Sequence, residues 1–128
     1  MSHKVHIEFA GTLLASKKGK PQQQSYLDDV AKFIQAADHA KEAKDKSAET
    51  VVIHDAKHES KSYNKKPHSS IALYDHSGNL VLGAHVDAND PTKGEVFVPA
   101  DPNYVAKWGT LAKANPGAGK QLDKEVDI

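Results

Sequence analysis

Eight histidines occur in this 128-residue chain, and five of them, His54, His58, His68, His76 and His85, fall within 32 positions. Histidine is the one side chain whose unperturbed pKa, about 6.5, puts its charge change near neutrality; it is also the commonest metal ligand and a frequent general acid or base. Two histidines can act as base and acid on a phosphodiester when a carboxylate fixes one of them. A neighbouring lysine, here Lys65 or Lys66, can neutralise the charge that develops on the phosphate. His68 and His85, with Ser70 and Asp87 beside them, are the set that this chemistry would use.

Two short segments resemble known sites. His68-Ser69-Ser70 is similar to one His-x-Ser/Thr element of the two-histidine phosphoesterases, over three residues; the second element, His85-Val86-Asp87, lacks the hydroxyl. His85-x-Asp87 is similar to the first half of the iron oxygenase triad, but that family's second histidine lies downstream and none follows His85. A different metal on His68, His85 and Asp87 is a lesser reading, and no metal or cofactor is assigned. The run from Asp87 to Glu95 is acidic, yet Thr92 and Val98 stand where a calcium loop of the EF-hand type needs glycine and glutamate, so it reads as a turn.

Composition closes other routes. There is no cysteine, which excludes disulfides, thiolate catalysis and iron–sulfur clusters. All 17 strong cations are lysine, so the bidentate fork of arginine is missing from any anion or guanine readout. They are balanced by 17 Asp plus Glu, giving zero formal charge and no broad footprint for duplex DNA. No apolar run reaches about 18 residues, so no membrane span is expected. The opening Met-Ser-His-Lys-Val-His lacks the apolar core of a signal peptide, and the expectation is a cytoplasmic chain that starts as written.

Periodicity supplies the elements that must position the histidines. Val5, Ile7 and Phe9 alternate with polar residues as in a half-buried strand. Ser25 offers an N-cap for an amphipathic helix carrying Leu27, Val30, Phe33 and Ile34, which runs to about Ala40 and extends, if at all, through 41–46. Residues 50–54 read as a buried strand and 55–67 as a lysine-rich loop containing Tyr63. Residues 69–75 and 80–87 form the strongest hairpin signal, 95–99 a further strand, and Asp101-Pro102 opens a second helix that Asn115-Pro116-Gly117 stops.

The hairpin can be placed in register. A two-residue Ser77-Gly78 turn pairs Leu73 with Leu82, Ile71 with Ala84 and Ser69 with Val86 on one apolar face. The other face then pairs Tyr74 with Val81, Ala72 with Gly83, Ser70 with His85 and His68 with Asp87. Opposed Cβ atoms lie about 4.5–5.5 Å apart, so His68, Ser70, His85 and Asp87 make one polar patch. His76 sits at the turn, about 20 Å away at roughly 3.3 Å per residue. His54 and His58 read as loop residues.

The expectation is therefore an α+β domain of two layers: an antiparallel sheet of about five strands, in β-α-β-β-β-β-α order, with two helices on one face. A single domain over residues 1–116 is followed by a flexible tail over 117–128. The expected function is a binding or interaction module that meets a small molecule or partner protein through the polar sheet face and the basic loop. Tyr63, Lys65, Lys66 and Tyr74 are its ligand contacts, with Tyr63 able to stack on a ring. The alternative is a small phosphodiester hydrolase built on His68, His85, Ser70 and Asp87. Membrane and duplex DNA are not expected partners, and the oligomeric state is left open.

Overall fold

A computed structural model describes residues 3–9, 24–53, 67–99 and 119–128. The chain is α+β. Strand β1 (Lys4–Phe9) is followed by helices α1 (Gln24–Gln35) and α2 (Ala37–Asp45), then strands β2 (Ala48–Ile53), β3 (His68–Asp75), β4 (Leu80–Asp87), β5 (Gly94–Phe97) and β6 (Gly119–Asp127). Among the described residues, these strands form one sheet in the order β5-β4-β3-β2-β1-β6.

The sheet is mixed rather than antiparallel throughout. β1 and β2 run parallel, with Ile7 opposite Val51, because the α1–α2 connection packs back on the sheet before β2 begins. All other pairs are antiparallel. The residues expected as a tail supply the sixth strand, which pairs along β1 from Lys4–Asp127 to Phe9–Gly119. Its charged sequence disguised it: Val126 and Ile128 pack against the core, Lys124 reaches Asp28 of α1 at 3.0 Å, and Glu125 and Asp127 are exposed. Charged side chains are what an edge strand carries to discourage further pairing.

The single long helix expected from Ser25 onwards is two helices. Ala36 is extended, with φ −59° and ψ 138°. At the break the His39 ring donates from Nδ1 to the Phe33 carbonyl at 2.8 Å, and the two rings lie 4.1 Å apart. The Phe33 carbonyl, left without its partner from the next turn, accepts from this ring and from the Ala36 N–H at 3.3 Å. α1 buries Tyr26, Leu27, Val30, Phe33 and Ile34, whereas α2 buries only Ala40 and Ala43 and carries its charges outward. The second helix expected from Asp101 lies outside the described residues. Among the described residues no helix is long and apolar enough to cross a membrane.

The core lies between the helices and one sheet face: Val5 and Ile7 from β1, Val51 and Ile53 from β2, Ile71 and Leu73 from β3, and Leu82, Ala84 and Val86 from β4. Tyr26 ties α1 to β3 through a hydrogen bond with the Ser69 hydroxyl. The opposite face carries a smaller cluster of Val52, Ala72 and Tyr74, with Leu80 and Phe97 packed against it. β3 is buried on both faces along its length, from His68 to Tyr74.

Candidate functional site

Strand alternation puts His68, Ser70, Ala72 and Tyr74 on the sheet face away from α1 and α2. The β3–β4 register brings His85 and Asp87 beside them: His68 pairs with Asp87, Ser70 with His85, Ala72 with Gly83, and Leu73 with Leu82, as the sequence implies. Only the turn end differs. Asp75 N–H bonds Asn79 and Gly78 N–H bonds Asp75, which closes a loop of three residues with Gly78 at φ 85°. That loop is one residue longer than the expected turn, and it pairs Tyr74 with Leu80 rather than Val81. An irregularity at Val81 then restores the register, so the two single-residue differences cancel before the histidines are reached. His76 is exposed in the turn.

The patch is buried rather than open to solvent. His68 is 0% exposed, His85 5% and Ser70 6%. The two imidazoles meet edge to face, with centroids 4.9 Å apart and planes at 72°. They touch on the diagonal, since each stands opposite a different residue. Phe97 of β5 lies against the other side of His85, with centroids 4.7 Å apart.

A carboxylate does fix one histidine, but it is Glu95 and not Asp87. The β4–β5 register sets His85 opposite Glu95, and His85 Nδ1 donates to Glu95 Oε2 at 3.1 Å. An ionised carboxylate can only accept, so the proton of neutral His85 sits on Nδ1 and its lone pair on Nε2. Asp87 uses Oδ1 to accept the Asn89 N–H at 2.8 Å, and Asp90 Oδ1 accepts the Thr92 hydroxyl at 2.6 Å. The acidic run after β4 is thus a turn whose carboxylates cap its own backbone and hydroxyl groups.

Burial holds His85 below the ordinary histidine range. The hydrogen bond to Glu95 opposes that shift, the nearby His68 ring adds to it, and the Glu95 charge again opposes it. Burial wins, and His85 is neutral at pH 7. The pair connects interior to surface, because the Glu95 side chain is 52% exposed while that of His85 is 6% exposed.

The remaining expectations divide. Tyr74, expected as a ligand contact, is buried in the small apolar cluster with Val52, Ala72 and Phe97, and burial pushes its phenol up. Tyr63, Lys65, Lys66, His54 and His58 lie outside the described residues. Among the described residues no three His, Asp or Glu side chains are grouped to hold a metal ion. Glu95 and Phe97 are the additions. Both were legible in principle, because counting the ladder outward from Val86–Gly94 puts them on the histidine face.

Set against protein-family models, curated proteins and solved structures, the chain finds no match.

Proposed function

We propose that this chain is a cytoplasmic binding or interaction module whose ligand or partner is met at the His68–His85 end of the β3–β4–β5 face. The observation that supports it is the contact of two buried histidines, one held by Glu95. Burying polar rings costs free energy that apolar side chains of similar volume would not. Clusters of buried titratable groups are for that reason enriched at functional sites. Ser70 supplies a hydroxyl on the same face, and the basic loop with Tyr63, Lys65 and Lys66 is the second contact region in this reading. The ligand is a small molecule or a protein segment that meets this face through the half-exposed Glu95 carboxylate that backs the buried rings.

The test is an NMR fragment screen on isotope-labelled protein. Fragments that shift the His68, Ser70 and His85 amides, and that no longer do so in His85→Ala, support the reading. A screen in which every responding residue lies elsewhere rejects it.

One observation favours the hydrolase as a second reading. A neutral imidazole backed by a carboxylate is the arrangement of a general base and the group that orients it. With Glu95 rather than Asp87 in that role, bis-p-nitrophenyl phosphate should be cleaved by the wild type and not by a folded His85→Ala variant. No turnover by the wild type at any pH between about 5 and 8 removes this reading.

A further inference from the structure

We infer that the contact of β5 with the His68–His85 pair is a proton-sensitive latch, in which proton uptake by His85 releases β5 from the sheet edge while β1 to β4 stay paired. His85 is held between two elements of unequal strength. On one side is His68 of β3, a central strand with partners on both edges and both faces buried. On the other are Glu95 and Phe97 of β5, which has four residues and, among the described residues, pairs only with β4.

A proton on His85 puts a charged ring in a buried site, with its centroid 4.9 Å from that of His68. Hydrating that charge requires one neighbour to move, and the short edge strand is the one that can. Among the described residues, the titratable groups facing His85 are His68 from β3, Asp87 from its own strand and Glu95 from β5. Glu95 favours the charged ring and so sets a limit on the latch. Its attraction does not offset burial, which leaves His85 below its ordinary range in the closed sheet.

The sign follows by linkage. An imidazole that titrates lower in the closed form than in the open form binds a proton on opening. The open-to-closed ratio therefore rises as pH falls through the ordinary histidine range, by up to about tenfold per pH unit. The device needs no ligand.

Backbone amide exchange of the whole chain, corrected for intrinsic rates, tests it between about pH 7.5 and 5.5. Protection of the β5 amides that bond to β4 should fall several-fold, by up to about tenfold, over that range, and at every pH stay below that of the β2–β3 amides around Val51 and Leu73, which exchange only when the whole sheet opens. In His85→Gln the β5 protection should be flat with pH. The proposal is overturned if wild-type β5 protection is flat, if the β5 and β2–β3 amides are equally protected at each pH, or if His85→Gln shows the same fall. Should that variant not fold, the wild-type comparison of β5 with β3 decides by itself.

Discussion

The His85 ring feels two opposing influences of known origin, and each can be removed separately. Glu95 raises the ring's proton affinity through a hydrogen bond and through charge, while burial and His68 lower it. Glu95→Gln keeps the side-chain shape and an acceptor oxygen but deletes the charge, so the His85 midpoint should move further below the ordinary range. Titrating the imidazole Cε1 proton by NMR in both proteins checks this. An unchanged or higher midpoint in the variant would mean that the 3.1 Å contact is not carrying charge. On the helix-facing side of β3, Tyr26 and Ser69 share a buried hydrogen bond, and burial pushes the Tyr26 phenol up to about 12. Tyr26→Phe leaves the Ser69 hydroxyl without that bond and should cost about 1–2 kcal/mol in urea unfolding.

Elements respond to backbone geometry. β5 comes so close to β4 that a methyl group at Gly94 would lie 2.0 Å from the His85 carbonyl oxygen and 2.9 Å from the Val86 Cα. Backbone atoms cannot rotate away, so Gly94→Ala must lift β5 and with it Glu95 and Phe97. A loss of about 1–3 kcal/mol is expected, together with a His85 resonance shifted toward that of a hydrated ring. Retention of both stability and shift would show that the strands separate at no cost. At the end of α2 the opposite substitution should help. Ser47 occupies φ 57°, and its N–H bonds Lys44, which is a left-handed helix ending without glycine. Ser47→Gly relieves that conformation and should raise stability by about 0.5–1 kcal/mol, read as a higher urea midpoint at unchanged slope.

For the whole molecule, the shifted groups define a stability dome. His85 is lowered, so the unfolded chain binds more protons below the ordinary histidine range and stability falls on acidification through it. Asp28, Asp75 and Asp90 are also lowered, chiefly by hydrogen bonds from Gln24, Asn79 and Thr92, which extends the loss into the carboxylate range. Tyr26 and Tyr74 are raised by burial, so above about pH 10 the unfolded chain sheds protons that the folded chain keeps, and stability falls again. Thermal unfolding across pH should therefore show a plateau near neutrality with losses on both sides, beginning on the acid side near the histidine range. A midpoint that rises on going from pH 7 to pH 5 would contradict the His85 assignment.

Sequence by itself determined the local elements whose apolar period is strong: β1, α1, β2 and the β3–β4 hairpin. In these, side-chain spacing and backbone geometry share one repeat. It also determined the pairing of Ser70 with His85 and of His68 with Asp87, because a register error would have turned Ile71, Leu73, Leu82 and Ala84 out of the core. It did not reveal β6, whose few apolar residues become meaningful only once β1 and α1 lie beside them. Nor did it reveal that β1 and β2 run parallel, since chain direction depends on where the intervening helices pack. Tertiary structure alone decided the character of the histidine site. Burial, the 4.9 Å contact of His68 with His85 and the capture of Nδ1 by Glu95 depend on which surfaces meet across strands, and no spacing within one strand encodes that.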